Sequence, residues 1–401
     1  MDLLRGITRL ETLPLEGRRV MVRADLDCPM TPEGRVADDS RLHALLPTIR
    51  YAITQGAKVV LAGSLGQPAG RRVPELTMAP VGERLAELLD LEIFLPEETV
   101  GDGPRKVVME RVDGEVVLLE NLAFQSEEES DDDVFAQRLA VLCDVYVNDA
   151  LLASGRRLAS TRSVAKHVNM KACGLLLQKE LTSLNRITAG SPEGPFTLLV
   201  GGARFSEKIG LMNILLGKVK NVLVGGVTAA TFLAARGVAV GRTQVEADRF
   251  ELANQFLSRA RLRGVEVLLP VDVVVAGSAC DGSDAQVVPV ELIPPEAQIL
   301  DVGPETVSIF AKAIAASRTV FWNGPMGACE QPIFREGTEK VGKALARSRA
   351  TSIVAGGDTV AAVARLVLTP FLTHVSGGGD SAMALVEGRE VPGVEALRDL
   401  D

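Results

Sequence analysis

A pair of glycines followed by two cations at helical spacing opens the chemistry of this chain. Val200-Gly201-Gly202-Ala203-Arg204-Phe205-Ser206-Glu207-Lys208 reads as a strand, a tight turn and a helix start. Glycines admit close backbone approach, and the free N–H groups of a helix start attract anions. Arg204 and Lys208 would share one helix face and could both touch phosphate oxygens. The plainer reading is a surface basic pair after an ordinary turn. Gly225-Gly226 repeats the strand–Gly–Gly pattern, and Ala355-Gly356-Gly357-Asp358-Thr359 adds a carboxylate and a hydroxyl to it. Asp358 is either a plain N-cap or an oxygen ligand for Mg2+ beside a phosphate-cradling turn. Ser376-Gly377-Gly378-Gly379-Asp380-Ser381 offers a loop able to wrap a transferring phosphoryl group, or simply a flexible turn. Asn323-Gly324-Pro325 and Gly303-Pro304 add tight turns. No G-x-x-x-x-G-K-[ST] occurs, nor a clean G-x-G-x-x-G with a following acid, which sets aside P-loop and dinucleotide sites.

These turns need elements that converge on one edge. Short apolar runs precede them: Val20–Ala24, Val59–Ala62, Val116–Leu119, Val145–Val147, Thr197–Val200, Val222–Val224, Val267–Leu269, Val320–Trp322, Ile353–Val354 and Thr373–Val375. They are rich in Val, Ile and Leu without strict alternation, as in parallel strands buried on both faces. Helical-period stretches lie between them, so βαβ units are predicted. The fold class is α/β, with two doubly wound parallel-sheet (Rossmann-like) domains, and ligands are expected beyond the carboxyl ends of the strands. Gly-rich turns dominate after about residue 195, and turns bearing acids and Arg dominate before it. Lys171–Leu184 reads as a helix joining the two halves. The acidic run Glu127–Asp133 reads as a solvated loop or helix start.

Composition narrows the function classes. A net charge of −9 with no basic block disfavours sequence-independent nucleic-acid binding. No apolar run is long enough for a membrane span, and the first residues do not read as a signal peptide. The five cysteines lack a C-x-x-C pair and read as reduced packing residues, so a cytoplasmic protein is expected. His43, His167 and His374 read as structural.

In chain order, VRADLDCP, DDSRLHALLPTIRY, SLGQPAG, VLLENLAF, DVYVNDA, GGARFSEKI, VGGVTAATFL, LPVDVV, VGPET, FWNGPMGACE, AGGDTVAAV, HVSGGGDSAMALVEG and VPGVEAL resemble the phosphoglycerate kinase family from the first strand to the tail. The resemblance implies an N-terminal acid-binding domain, 1–170, completed by the tail 388–401. It also implies an interdomain helix, 171–185, and a C-terminal Mg–ATP domain, 186–387. A hinge would close the cleft, and the chain would act as a monomer. It assigns the nucleotide to Gly201, Gly202, Lys208, Gly225, Gly226, Gly303, Asn323, Pro325, Glu330, Gly357, Asp358 and Thr359. Glu330 matches the ribose position and Asp358 the metal position. Catalysis falls to Arg41, Arg204, Lys208, Gly378 and Gly379, with Arg204 where the family has lysine, and Asp380 replaces a loop alanine.

The acid half keeps Arg23, Asp25, Arg41 and Arg156, but Asn of the family motif is Asp27. Basic residues of the distal-phosphate clamp have become Ser64, Gln67 and Ala123. Losing two arginines would cost on the order of 3–6 kcal/mol at about 1.5–3 kcal/mol per charge-assisted hydrogen bond. The expectation is therefore an ATP-dependent kinase that phosphorylates a carboxyl group to an acyl phosphate, with an acid other than 3-phosphoglycerate favoured. The alternatives are ordinary glycolytic 3-phosphoglycerate kinase and a nucleotide-binding protein without turnover. In-line attack by an already ionised carboxylate needs no general base. Arg41 would orient it, Asp358 would anchor Mg2+, and Lys208 and Arg204 would neutralise developing charge.

Overall fold

Val20 and Val22 pack into one apolar core while Met21 between them is buried against the opposite face. That period-two burial on both sides is what a covered parallel sheet requires. The structure, a computed structural model, describes residues 2–190, 192–278 and 282–399; Cys280 lies outside them. It divides into two compact units, one formed by Asp2–Asn185 with the tail from Arg389, the other by Arg186–Gly388.

The first unit holds β1 (Arg19–Arg23), β2 (Lys58–Ala62), β3 (Ile93–Phe94), β4 (Val116–Leu118), β5 (Val145–Asn148) and β6 (Met170–Cys173), ordered β3-β4-β2-β1-β5-β6. Every pairing is parallel. The helix Ser40–Thr54 buries Leu42, Leu45, Leu46 and Ile49, an i, i+3, i+4, i+7 stripe, in the same core as Val20, Val59 and Leu61. The tail returns to this unit. Arg398 forms a β-bridge with Ile7 and its guanidinium donates to the carbonyls of Leu3 and Arg5.

The second unit has β7 (Phe196–Val200), β8 (Asn221–Val224), β9 (Glu266–Leu268), β10 (Asp272–Ala276), β11 (Gln286–Pro289), β12 (Gln298–Val302), β13 (Thr319–Asn323), β14 (Thr351–Val354) and β15 (His374–Val375). A parallel sheet runs β15-β14-β13-β7-β8-β9. A separate antiparallel sheet, β11-β10-β12, was not expected from the sequence. Phe205 stacks edge-to-face on Phe232, with centroids 5.2 Å apart, and Phe232 meets Phe256 at 5.9 Å.

Two expectations need correction. Lys171–Leu184 is not one helix: Met170–Cys173 pairs with β5 as a strand, Gly174 follows, and the helix is Leu175–Thr188. The division between units falls inside that helix. The acidic run Glu127–Asp133 is not simply solvated. Glu128 is 1 % exposed and accepts hydrogen bonds from the Ser160 hydroxyl, 2.5 Å, and backbone N–H, 2.9 Å. Asp132 caps the helix Asp133–Ala140, and Asp131 takes bonds from Arg162 and Ser163. Among the described residues no helix is long and apolar enough to cross a membrane.

Candidate active site

In the second unit, the strand order reverses between the parallel neighbours β7 and β13, and open α/β sheets bind ligands in the crevice at such a point. The loops leaving these two strands are laced together. Gly201 N–H donates to the Asn323 carbonyl at 3.0 Å, Gly202 N–H to that of Pro325 at 2.8 Å, and Gly226 N–H to that of Met326 at 2.8 Å. A Cβ on Gly201 would lie 1.9 Å from the Pro325 oxygen, so only glycine lets these backbones meet.

Lys208 sits two residues into the helix Ser206–Leu215, and its ammonium donates to Asn323 Oδ1 at 2.8 Å. The Asn323 amide nitrogen donates to the Ala355 carbonyl, tying β13 to the Gly356-Gly357 turn. Burial lowers the Lys208 pKa from its ordinary value, against the opposing charges of Glu207, Asp358, Asp380 and Glu387. Those carboxylates favour its charged form. Asp358 is exposed in the first turn of the helix Gly357–Arg365. Thr359 is buried, and its hydroxyl accepts from Gly324 N–H at 2.6 Å. Gly378 N–H donates to Ser376 Oγ, and Gly379 opens the helix Gly379–Val386 with φ +51°.

Other placements differ in kind. Arg204 is 72 % exposed and its Nη1 pairs with Glu207 at 3.0 Å, a carboxylate that competes with a phosphate for the guanidinium. The N–H of Ser206 is not free for an anion, because the Glu246 carboxylate accepts it at 3.1 and 3.2 Å. Burial opposes ionisation of Glu246, but its bonds from Ser206 and Phe205 hold its pKa below the ordinary value. Gly303 follows β12 and is backed by Asp272, whose carboxylate caps the helix Pro304–Ala315 through Glu305 N–H and Thr306 N–H. Pro325 is buried within the laced loops, whereas Glu330 is exposed and makes no hydrogen bond to them.

In the first unit the expected acid-binding residues follow the carboxyl ends of β1, β2, β4 and β5 or begin the helix Ser40–Thr54. Arg41 Nη1 is buried without a hydrogen-bond partner, a donor in need of an acceptor. Asp25 accepts from Leu152 N–H at 2.9 Å and Ala153 N–H at 3.1 Å. Burial raises its pKa, with Arg23 the largest opposing influence. Asp27 accepts from Gly66 N–H at 2.8 Å and so holds the loop bearing Ser64 and Gln67. Gln67 is exposed, Ser64 half-buried, and Ala123 7 % exposed. Arg156 is exposed and pairs with Glu129 at 2.9 Å. Arg23 is placed differently from the other expected acid-binding residues. It is 2 % exposed and donates to Ser160 Oγ at 2.7 Å and to the Ala24 carbonyl, forming a strut toward Glu128.

Sequence reasoning missed Asp149. Its carboxylate accepts from Thr48 Oγ1 at 2.5 Å and Leu177 N–H at 2.8 Å, capping the helix Leu175–Thr188, and burial pushes its pKa up to about 7. The NDA motif contained it, but its partners lie far along the chain. Phe205 was also missed; the lone aromatic in a polar motif was the available signal.

The residues present fit a hard cation that arrives with phosphates. Asp358 is an oxygen donor with no hydrogen bond or ion pair, and no cluster of three metal-ligating side chains exists among the described residues. Mg2+ is typically held by one or two carboxylates plus phosphate oxygens.

The family model for phosphoglycerate kinase matches residues 10–389. The phosphoglycerate kinase of Anaeromyxobacter dehalogenans strain 2CP-1 is 47 % identical over 398 residues, covering 98 % of this chain and 100 % of its own length. That of Pelotomaculum thermopropionicum is 45 % identical over 387 residues, covering 96 % of this chain and 98 % of its own. The solved phosphoglycerate kinase of Coxiella burnetii superposes with a TM-score of 0.88 at 36 % identity, and that of Pyrococcus horikoshii with 0.83 at 30 %; each comparison covers 98 % of both chains. These end-to-end matches overturn the expectation of an acid other than 3-phosphoglycerate and favour the ordinary enzyme. The physical reason is that the clamp argument treated each lost contact as uncompensated. Among the described residues Arg157 is exposed beside Arg156 without an ion pair, and Arg41 keeps an open donor.

Proposed function

The chain belongs to the phosphoglycerate kinase family, and from that premise we propose that this kinase moves a phosphoryl group between ATP and the carboxylate of 3-phosphoglycerate. The observation that carries the acid end is the buried, unpartnered Nη1 of Arg41. A buried guanidinium donor without an acceptor is costly unless an anionic ligand completes it. The carboxylate nucleophile is ionised at neutral pH, so no base is required.

At the ATP end, Lys208 is held by Asn323 where the loops after β7 and β13 meet, poised to offset charge on the transferring group. Asp358 would hold Mg2+, which supplies charge neutralisation at the phosphates. Arg204, exposed and paired with Glu207 through one nitrogen, would join it. Membership is also consistent with a cytoplasmic monomer.

The test is ADP formation from ATP as a function of 3-phosphoglycerate. Saturable, Mg2+-dependent turnover is expected. ATP binding without ADP formation at any 3-phosphoglycerate concentration would leave a nucleotide-binding protein instead.

A further inference from the structure

A cavity of about 330 Å3 opens in the first unit, lined by none of the residues assigned to the acid. Its wall contains buried Thr99, Val100 and Phe124, together with Glu120. The Glu120 carboxylate is already engaged: it accepts from Thr77 Oγ1 at 2.7 Å, Met78 N–H at 2.9 Å and Asn121 N–H at 2.8 Å. The rim is different. Arg72, Arg138, Glu97 and Glu98 are all exposed, and among the described residues none of them forms an ion pair or side-chain hydrogen bond. Arg138 and Glu98 nevertheless converge. A Cβ built on Gly101 would stand 3.2 Å from Glu98 Oε2 and 3.9 Å from Arg138 Nη2. Two cations and two anions thus line one polar cavity with no ion pair among them in the described residues.

That charge set selects its occupant. A simple anion would meet the two guanidinium groups but also two free carboxylates, and a simple cation would meet the reverse; each is penalised by the like charges. A molecule with both signs satisfies all four groups. Val100 and Phe124 form a buried apolar part of the wall, and charges held against such a wall are less screened than in open water. We propose that this cavity binds a small zwitterion of the α-amino-acid type, its carboxylate taken by Arg72 and Arg138 and its ammonium by Glu97 and Glu98. The site shares its loops with the acid pocket. Arg72 follows Ser64 and Gln67 on one loop, Phe124 and Gln125 follow Ala123 on the other, and Gly70 N–H donates to the Ala123 carbonyl at 3.1 Å. An occupant would therefore stiffen the loops that carry the acid-binding positions.

The experiment is calorimetric titration of the full chain with each proteinogenic α-amino acid in turn, and with acetate, methylammonium and inorganic phosphate as half-ligands. No turnover is measured, so the outcome is independent of the kinase reading. At least one amino acid is expected to bind saturably while the three half-ligands do not. Arg138→Ala and Glu98→Gln, both at exposed side chains, should each weaken that binding about tenfold or more with thermal melting of the free protein unchanged. No binding by any amino acid would overturn the proposal. So would affinity unaltered in both variants, or acetate or phosphate binding as tightly as the amino acid.

Discussion

The Lys208 ammonium reaches the Asn323 side-chain oxygen at 2.8 Å, and that single bond joins the helix after β7 to the end of β13. It fixes the cation at the reversal point of the sheet, and burial lowers its pKa there. Lys208→Ala should reduce kcat by roughly 100- to 1,000-fold, the scale for removing one transition-state donor. Asn323→Ala should cost about tenfold by loosening the lysine. The double variant should be little worse than Lys208→Ala, because the two residues act as a unit. Steady-state ADP formation with 3-phosphoglycerate measures all three, and additive losses would contradict the coupling.

Gln67 is exposed and its side chain makes no hydrogen bond among the described residues, so its loop has room for a longer side chain. Gln67→Arg should lower KM for 3-phosphoglycerate by about tenfold or more, the value of one charge-assisted bond, with kcat little changed. An unchanged KM would place the distal phosphate elsewhere.

Asp358 is the expected metal-holding carboxylate. Asp358→Asn should raise the Mg2+ concentration needed for half-maximal turnover by about tenfold or more, and chelation should abolish turnover in the unaltered protein. A Mg2+ titration that superposes on that of the unaltered protein would assign the ion to another group.

Burial pushes the Asp149 carboxyl from 3.8 up to about 7. Between those values the folded protein keeps a proton that the unfolded chain has released. Stability from this group is therefore present below about pH 4 and lost as pH rises toward about 7. Asp301 is also pushed to about 7 by burial and acts in the same sense. Asp149→Asn keeps an acceptor for Leu177 N–H and lets the Thr48 hydroxyl accept. It should reduce the fall in urea midpoint between about pH 5 and about pH 8. A slope identical to the unaltered protein's would exclude Asp149 as its source.

Glu128 lies at the end of the buried chain from Arg23 through Ser160. Glu128→Ala removes one of the two buried carboxylates that offset that guanidinium, the other being Asp25, and should destabilise by roughly 3 kcal/mol. Replacing Arg23 by Met together with Glu128 by Leu should recover much of the loss. Denaturant titration of both variants checks this.

The strands were legible because Val-rich runs such as Val116–Leu119 and Val222–Val224 need burial on both faces, and the turns after them were legible from their glycines. The two-residue β3 carries too little pattern to read. Met170–Cys173 was absorbed into a helix because the residues after Gly174 continue an apolar helical period; pairing with β5, a long-range contact, decided otherwise. Several residues expected at the nucleotide also do structural work that their spacing did not show. Asn323 and Thr359 brace loops, and Glu246 closes a helix start from 40 residues away. Carboxylates that cap backbone amides distant in sequence, such as Asp149 and Asp272, leave no local spacing to detect.

Arg398, seated on the carbonyls of Leu3 and Arg5, gives the first unit a seam between its earliest and latest residues. During synthesis from the amino end, residues 186–388 emerge before that seam can form. The second unit can therefore mature while the first still lacks its final segment, so the half made first is the last to be finished.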